Sequence, residues 1–178
     1  METHFQKRVI EIVDYDPKWQ TLFLNEKEKL ASALGKNIVR VEHMGSTSVS
    51  GLPAKPIIDI LIEVHSIKDV DLSSSKMEVL EYLVKGENGI PGRRYFQKGG
   101  NQRSHQVHVY QKGDANLVRH RAFKEYLKAH AEIANRYAIV KRAAVHNCNN
   151  DIYQYMALKN DFIAEHEPLA LAWYEKLV

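Results

Sequence analysis

Short runs of β-branched and apolar residues predict four or five strands in the first two thirds of the chain. These runs lie at residues 9–13, 38–43, 56–64, 94–97 and 105–111. The run at 56–64 is almost continuously apolar, which is typical of a strand that other elements cover on both faces. A Gly-Gly-Asn sequence separates the last two runs and predicts a hairpin between them.

Between and after these runs, the apolar residues have the spacing of α-helices. An Asp-Pro pair at 16–17 fits the first turn of a helix that ends at Gly35. Ser75 and Glu78 have the spacing of a capping box and predict a second helix that continues for about three turns. From Ala115 onward the helical pattern continues to the last residue.

The order of these elements predicts an α+β fold. We expect a mixed β-sheet of about four or five strands, flanked by helices and completed by a C-terminal helical portion. With 178 residues, 44% of them hydrophobic and 26% charged, the chain has the length and composition of one ordinary soluble domain. That domain spans residues 1–178, with the sheet-containing core at about 1–113 and the C-terminal helices at about 114–178.

Charge and cysteine usage narrow the class of protein. A net charge of +3 is too mild to indicate a protein that tracks nucleic-acid phosphates, although basic residues cluster at 85–103 and 117–142. Such clusters suit an anionic small molecule, or simply a solvated helix face. The single cysteine, Cys148, excludes an internal disulfide and fits a reducing compartment. No apolar run approaches the roughly 18 residues of a membrane span, so we expect a cytoplasmic protein with no membrane partner.

One acid interrupts the apolar run of the predicted central strand. Asp59 shares a strand face with Leu61 and Glu63, while the isoleucines beside it point the other way. A carboxylate inside a sheet is costly unless a cation or a hydrogen-bond donor lies next to it. The sequence leaves three partners open: Lys55, a serine hydroxyl, or a metal ion that bridges to a phosphate.

A turn of small residues precedes this strand. Gly45, Ser46, Thr47 and Ser48 can present backbone N–H groups and hydroxyls to a phosphate, as short Gly/Ser loops do. The same residues also suit a plain turn whose hydroxyls bind the local backbone. The combination of this turn with Asp59 in one strand–turn–strand unit favours a phosphate-binding role.

The stretch EHMGSTSVSGLPAKPIIDIL, residues 42–61, resembles the GrpB family. Its strand, Gly-Ser turn and acid in an apolar strand are similar to the signature of the nucleotidyltransferase superfamily with the polymerase-β-like fold. The similarity continues through YDPKWQTLF, RSHQVHVY, RHRAFKEYLKAH and YQYMALKNDFI, so it covers nearly the whole chain. The resemblance implies a nucleotidyltransferase-like fold, a nucleotide or other phosphorylated small molecule as ligand, and Mg²⁺ or Mn²⁺ held by Asp59. Relatives of this domain also occur joined to dephospho-CoA kinase.

The chain departs from the superfamily pattern at two acids. In the superfamily pattern that this chain resembles, a second acid stands two residues after the first. In this sequence that position is Leu61. A third acid usually comes from a later strand, where this sequence has histidines. Strand alternation turns His108 towards Asp59 and His105 to the opposite face, so the predicted metal ligands are Asp59 and His108. Imidazole nitrogen also suits Zn²⁺.

The helical half supplies basic residues that can reach over such a cleft. Arg119, Lys141 and Lys159 are candidates to bind a triphosphate or a pyrophosphate leaving group, together with Lys55 at the entrance of the central strand. Lys159 lies in YMALK, a segment that resembles a recurring position of the GrpB family. Each of these side chains also suits an ordinary solvent-facing position.

Four functions remain open on these residues. The first is the transfer of a nucleoside monophosphate from a nucleoside triphosphate to an unknown acceptor, with a divalent metal and Asp59 as catalytic residue. The second is a non-catalytic module that binds a nucleotide or a phosphorylated metabolite, which Leu61 favours. The third is hydrolysis at a transition metal held by Asp59, His108 and either His43 or His105. Nucleic-acid binding ranks last, because acids interleave the basic residues.

Overall fold

The computed structural model describes residues 8–178. In this part of the chain the α-helices are α1 (Lys18–Leu34), α2 (Ile67–Leu72), α3 (Ser74–Val79), α4 (Ala115–Ala129), α5 (Ala131–Asn147) and α6 (Ile152–Glu175). The strands are β1 (Ile38–Met44), β2 (Ile58–Val64), β3 (Leu83–Val84), β4 (Arg94–Lys98) and β5 (His105–Gln111). Short 3₁₀ turns cover Gly35–Asn37 and Ser46–Ser48.

The five strands form one mixed sheet, which confirms the predicted α+β class. They pair in the order β1-β2-β5-β4-β3, with β2 and β5 parallel and the other neighbours antiparallel. The strand β2 therefore has a partner on each side. The register puts Met44 of β1 and Gln106 of β5 directly beside Asp59.

The two faces of β2 bury different sets of side chains. Ile58, Ile60, Ile62 and Val64 join the larger apolar core, which α1 covers through Trp19, Phe23 and Leu30. On the other face Leu61 is fully buried with Met44, Tyr110 and Leu117, the last from α4. The predicted cover on both faces is confirmed, and the alternation along the strand is as expected.

A buried acid holds α1 to the far edge of the sheet. Glu26 is 3% exposed and accepts hydrogen bonds from the Tyr82 hydroxyl at 2.8 Å and the Lys98 ammonium at 2.6 Å. Burial alone would raise the pKa of Glu26, but the hydrogen bonds from Lys98 and Tyr82 lower it overall. This pairing explains why a charged residue is tolerated under the helix.

The predicted first strand is wrong. Within 9–13 only Val13 pairs with other backbone, through an isolated antiparallel bridge to Ala54 with N···O distances of 2.9 and 3.0 Å. The segment instead packs Ile10 against Cys148 and Tyr155 of the helical half. A β-branched composition favoured a strand there, but packing between distant parts of the chain decided the conformation.

The predicted helix around Ser75 and Glu78 has the wrong boundaries. The helix α3 ends at Val79, because Glu81 takes a left-handed backbone with φ of 71° and the chain then enters the edge strand β3. A further helix, α2, was not predicted. It begins after Ser66, whose hydroxyl accepts a hydrogen bond from the Asp69 N–H at 3.3 Å.

The last three helices pack together and cover one side of the sheet. Leu127 of α4, Tyr137 of α5 and Phe162 of α6 share an apolar cluster with Val49 and Leu52, which lie between β1 and β2. The rings of Tyr137 and Phe162 stack at a centroid distance of 4.7 Å. Among the described residues, no helix combines the length and apolar character needed to cross a membrane.

Candidate functional site

A cleft lies between the turn at Gly45, the middle of the sheet and the helices α5 and α6. It has two adjoining lobes with volumes of about 370 and 280 Å³. Both lobes are lined by Gly45, Ser46, Asp59, Gln106, His108, Tyr137, Met156 and Lys159. The first, here called the cationic lobe, also contains Arg8, Lys55, Arg93, Lys141 and Tyr155. The second, here called the apolar lobe, also contains Met44, Arg119, His120, Phe123, Leu127 and Ile163.

Asp59 lies where the two lobes meet. Its side chain is 28% exposed, and its Oδ1 is 3.3 Å from Nε2 of His108. The Gln106 amide donates to the same oxygen at 3.0 Å when its nitrogen faces the carboxylate. The strand phase deduced from the sequence therefore places Asp59 and His108 on one face, as the structure has them.

The backbone of Gly45 approaches the carboxylate of Asp59 more closely than any side chain would permit. Gly45 has φ of 69°, and a Cβ added there would lie 2.7 Å from Oδ2 of Asp59. Only glycine combines a left-handed backbone with the absence of a Cβ. The turn and the acid thus form one compact unit.

Arg93 fixes the hydrogen-bonding roles of His108. Arg93 as a whole is 7% exposed. Its guanidinium donates to the carbonyls of Glu87 at 3.1 Å and Asn88 at 2.8 Å. Its Nη1 also lies 3.3 Å from Nδ1 of His108. Because a guanidinium only donates, Nδ1 must accept, and Nε2–H is left to donate to Asp59.

Three lysines from distant parts of the chain crowd the cationic lobe. Burial and the neighbouring charges of Lys159 and Arg8 lower the pKa of Lys55 to about 7, against the opposing effect of Asp59. Burial, Lys159 and Lys55 lower the pKa of Lys141 to about 7 as well. Burial also lowers the pKa of Lys159, while Asp59 raises it. The lobe therefore holds an excess of positive charge that its own carboxylate does not balance.

Aromatic rings support these lysines. The ammonium groups of Lys55 and Lys159 lie 4.9 and 5.1 Å from the ring centroid of Tyr155. Lys141 is 2% exposed, lies 4.7 Å from the ring centroid of Tyr137, and donates to the Pro53 carbonyl at 2.5 Å. The rings hold the cations in place without neutralising them.

The turn residues named from the sequence do not all face the cleft. Ser46 lines both lobes. Thr47 is buried, lies 2.9 Å from Nε2 of His43 and donates to the Ile57 carbonyl at 3.1 Å. Ser48 donates to the Gly45 carbonyl at 2.5 Å and lines a different cavity. Gly45 and Ser46 therefore line both lobes, and Thr47 lines the cationic lobe with its hydroxyl already bonded to His43 and Ile57.

Arg119 lies in the apolar lobe rather than among the lysines. Its guanidinium is 3.1 Å from Asn116, 3.7 Å from Glu167 and 3.3 Å from Nε2 of His120. Burial lowers the pKa of His120 to about 3, with smaller contributions from His108 and Arg119. His120 is consequently a neutral imidazole at the edge of this lobe.

Within residues 8–178, the acids of this sheet face provide no second carboxylate beside Asp59. Leu61 is fully buried under α4, as described above. Glu63, the next acid on the same face, accepts from Arg121 at 2.6 Å, and Arg121 also binds Glu42 at 2.8 Å. Glu63 is therefore paired with Arg121 and contributes nothing to the cleft.

The histidines of the third hypothesis are divided between the two sheet faces. His43 stacks on Phe23 of α1 at a centroid distance of 4.9 Å, and His105 lies 3.8 Å from Glu26. Both side chains are on the face opposite Asp59 and His108. Across the part of the chain that the structure describes, no three His, Cys, Asp or Glu side chains are grouped to hold a metal ion.

Several residues of the cleft were not identified from the sequence. Arg93 lies in the basic cluster at 85–103, and Tyr155 lies in the family-like segment YQYMALKNDFI. No residue spacing distinguishes either of them from its neighbours. Arg8 lies far from the remaining cleft residues in sequence and falls in no motif. Buried tyrosines beside lysines give no periodic signal that distinguishes them from core residues.

The fold of this chain is similar to that of a solved nucleotide complex. A solved structure of Cid1 in complex with the UTP analog UMPNPP matches with a TM-score of 0.55 and 15% sequence identity. The match covers 83% of this chain and 48% of Cid1. The likeness shows that this chain shares its fold with Cid1, and at that identity it shows the fold alone.

The chain belongs to the GrpB family. Residues 9–168 match the family model described as GrpB protein. The crystal structure of the conserved protein GrpB from Enterococcus faecalis has a TM-score of 0.89 and 40% sequence identity. That comparison covers 92% of this chain and 99% of the Enterococcus chain.

Two relatives are longer than this chain. UPF0157 protein YqkA of Bacillus subtilis is 45% identical over 169 residues, which is 95% of this chain and 49% of YqkA. A dephospho-CoA kinase of Mycolicibacterium paratuberculosis is 25% identical over 92% of this chain and 46% of the kinase. The chain thus spans about half the length of each, and the second agrees with the expected occurrence of this domain in dephospho-CoA kinases.

Proposed function

We propose that the cleft binds a nucleoside triphosphate or a related phosphorylated small molecule, with the phosphates in the cationic lobe. One observation carries the proposal. Five cationic side chains face a single carboxylate there, and they are Arg8, Lys55, Arg93, Lys141 and Lys159 against Asp59. A partly enclosed cavity with this charge attracts anions and strengthens each contact by excluding water.

The lowered pKa values of the lysines support the same role. Keeping Lys55, Lys141 and Lys159 together is unfavourable in the absence of an anion, since burial and mutual repulsion disfavour their charged forms. A triphosphate would supply the missing negative charge and accept several charge-assisted hydrogen bonds. The site is therefore arranged before the ligand arrives, at a cost in stability that ligand binding offsets.

The apolar lobe suits the remaining part of such a ligand. Met44, Phe123 and Ile163 supply apolar walls, and the neutral His120 supplies a hydrogen-bonding group at the edge. Pockets for small organic ligands combine mostly apolar walls with a few polar groups in this way. A nucleoside in the apolar lobe would extend from phosphates in the cationic lobe past Asp59.

The residues fit a resident metal centre poorly. Two-metal sites require several carboxylates, and here the neighbours of Asp59 are Leu61 on its own strand and Gln106 on the next. His108 presents Nε2–H, a donor, towards Asp59; making Nε2 a ligand would move the proton to Nδ1, where it would face the donor Arg93. The donor set is therefore better matched to an anion than to a cation.

A thermal-shift experiment with ATP in the presence of EDTA tests this proposal. ATP at about 100 times its Kd should raise the Tm of the wild-type protein by about 5–10 °C. Lys159→Gln should remove most of the shift, because it deletes a half-buried cation that lines both lobes. Lys68→Gln is the matched control. It makes the same change in charge at an exposed position on α2, outside the cleft. No shift in the wild-type protein, with or without Mg²⁺, would contradict the proposal.

Asp59→Asn separates anion binding from a metal-bridged contact. If the lysines bind the phosphates directly, removing the one opposing carboxylate should increase the ATP-induced shift in EDTA. If Asp59 instead holds a metal bridging to the phosphates, the shift should need Mg²⁺ and the variant should lose it. Equal shifts for wild type and Asp59→Asn under both conditions would exclude Asp59 from either role.

A second candidate is transfer of a nucleoside monophosphate to an acceptor. It is favoured by the partly exposed Asp59 carboxylate at the junction of the lobes, held against the Gly45 turn. In this reaction an acceptor atom bonds to the α-phosphorus and pyrophosphate leaves. Labelled nucleoside triphosphates should then give pyrophosphate in an Asp59-dependent manner, whereas binding without pyrophosphate release identifies a binding module.

A further inference from the structure

A second cavity adjoins the cationic lobe and is not used by the function proposed above. It has a volume of about 330 Å³ and lies beside the loop between β4 and β5. Arg8, Lys55 and Ile57 line both this cavity and the cationic lobe, so the two are neighbours along one surface. Its other lining residues include Gln102 and Arg103 of the loop.

The charge of this second cavity is also positive. Its lining contains the cations Arg8, Lys55 and Arg103 and one acid, Glu11, which leaves three minus one, or +2. Glu11 is exposed to solvent, whereas the three cations are only partly exposed. The cations repel one another, since Arg8 and Arg103 both lower the pKa of Lys55, and Arg103 lowers the pKa of Arg8.

Arg8 has unused hydrogen-bonding capacity at the boundary of the two cavities. Its Nη2 is buried and has no acceptor within the part of the chain that the structure describes. Burial lowers the pKa of Arg8, Arg103 lowers it further, and Tyr95 and Asp59 act in the opposite direction. A buried guanidinium nitrogen without an acceptor is costly, and an anion in either cavity would provide one.

The loop holds Arg103 in a defined position. Its Nε donates to the Gly100 carbonyl at 3.2 Å, and its Nη1 donates to the Gln106 amide oxygen at 3.2 Å when that amide is oriented towards Asp59. The loop is tightly folded, because a Cβ on Gly99 would come within 2.3 Å of the Gln102 carbonyl oxygen. Arg103 is therefore placed before any ligand binds, which reduces the ordering cost of a contact.

We propose that the cavity around Arg8 and Arg103 is a subsite for a second, separate phosphate group of the ligand. The inference rests on the proposed function, because it takes the cationic lobe to hold the first phosphates. The proposed ligand is a nucleotide with an additional phosphate besides those in the cationic lobe. This phosphate is attached either to the sugar 3′ oxygen or to the end of a longer phosphate chain. Lys55 lies between the two groups and contacts both.

Matched ligand pairs test the subsite by isothermal titration. AMP is compared with adenosine 3′,5′-bisphosphate, and ATP with adenosine 5′-tetraphosphate, each in EDTA. Charge-assisted contacts to Arg8 and Arg103 should make at least one of the extended ligands bind about tenfold or more tightly than its partner. The pair that shows the gain identifies whether the extra phosphate comes from the sugar or from the chain.

Variants distinguish failure of the subsite from failure of the proposed function. Arg103 lines the second cavity but not the cationic lobe, so Arg103→Gln should remove the gain within a ligand pair and weaken AMP and ATP much less than the extended ligands. Arg103→Lys should keep part of the gain, and an unchanged Tm for both variants verifies folding. Lys159→Gln should weaken all four ligands, and Lys68→Gln none.

Two results would overturn the inference while leaving the proposed function in place. One is equal affinity within both ligand pairs for the wild-type protein. The other is an Arg103→Gln variant that weakens simple and extended ligands by the same factor, since Arg103 would then act only through general charge. If none of the four ligands binds the wild-type protein, the proposed function itself fails.

Discussion

At the residue scale, Gly45 and Asp59 form the contact around which the cleft is built. Gly45 has a left-handed backbone, and Oδ2 of Asp59 occupies the space that a Cβ would need. The carboxylate is therefore held against backbone, with His108 and Gln106 on Oδ1. Both the turn and the strand position are needed to keep a charged group at this depth in the sheet.

Gly45→Ala should destabilise the protein by about 2–5 kcal/mol. A left-handed backbone costs an alanine about 1–2 kcal/mol, and overpacking of the Cβ against the carboxylate adds about 1–3 kcal/mol. The measurement is the free energy of unfolding from denaturant titration. Adding Asp59→Ala to Gly45→Ala should recover part of the loss, because it removes the oxygen that lies 2.7 Å from the new Cβ.

Gly35→Ala is the matched control for this substitution. Gly35 also has a positive φ of 56°, but no atom lies within 4 Å of the position of its missing Cβ. It should lose only the backbone contribution of about 1–2 kcal/mol. Equal losses at Gly35 and Gly45 would mean that the contact with Asp59 carries no steric cost.

At the element scale, β2 separates a structural face from a functional one. The face with Ile58, Ile60 and Ile62 belongs wholly to the core, while the other face changes along its length from Asp59 at the cleft to Leu61 under α4. The boundary between the cleft and the core thus falls between Asp59 and Leu61 of one strand. Of these two residues, only Asp59 is accessible to a ligand.

Leu61→Asp should destabilise the protein by at least about 3 kcal/mol, because it buries a carboxylate without a partner. Millimolar Mg²⁺ or Mn²⁺ should not restore the Tm, since Met44, Tyr110 and Leu117 surround the position and supply no further ligand. Leu61→Met is the control of similar volume and should cost less than about 1.5 kcal/mol. Recovery of the Tm by either metal would show that the strand can form a carboxylate pair after all.

The sequence predicts the strands next to the site better than the peripheral elements. Period-two alternation marks one apolar face in each strand, with Ile58, Ile60 and Ile62 in β2 and Val107 and Val109 in β5, and it correctly places Asp59 and His108 together. It fails at residues 9–13, where the chain packs on α5 and α6 without pairing in the sheet. The spacing of Ser75 and Glu78 correctly indicates a helix, but that helix begins at Ser74 without a side-chain cap, and the left-handed residue Glu81 ends it early.

At the scale of the whole molecule, the cationic lobe gathers charge from five separate parts of the chain, one of which is Arg93 just before β4. Arg8 precedes the first helix, Lys55 precedes β2, Lys141 lies on α5 and Lys159 on α6. No local pattern reveals such a grouping, because each lysine alone is indistinguishable from a solvent-facing residue. The sequence therefore predicts candidate cations, whereas only the packing of helices on the sheet shows which of them meet.

Anion binding should weaken as the pH rises above neutrality. Lys55 and Lys141 have pKa values of about 7 in the free protein, so above that pH they lose the charge that binds an anion. Sulfate keeps its charge throughout, and its affinity should fall roughly tenfold or more between about pH 6 and about pH 9. The measurement is titration calorimetry at each pH, and an affinity independent of pH would contradict it. Lys55→Arg should reduce the fall, because arginine stays protonated.

The ligand-free protein should show the opposite trend in stability. In the folded state these lysines have pKa values of about 7, well below the ordinary value of 10.5, so the unfolded chain binds more protons between these limits. The free energy of unfolding should therefore increase as the pH rises from about 7 towards about 10, apart from contributions of other groups. Saturating sulfate should flatten this increase, because it favours the protonated lysines.

The position of Lys159 on the last helix has a consequence for synthesis of the protein. Residues up to the end of β5 already contain Asp59, the Gly45 turn and the whole sheet, but Lys141 and Lys159 are translated only afterwards. A nascent chain that has just completed the sheet consequently has a half-built cleft. Under the proposed function, ligand capture would have to wait until α6 has left the ribosome and docked, so the ligand would take no part in the earlier folding of the sheet.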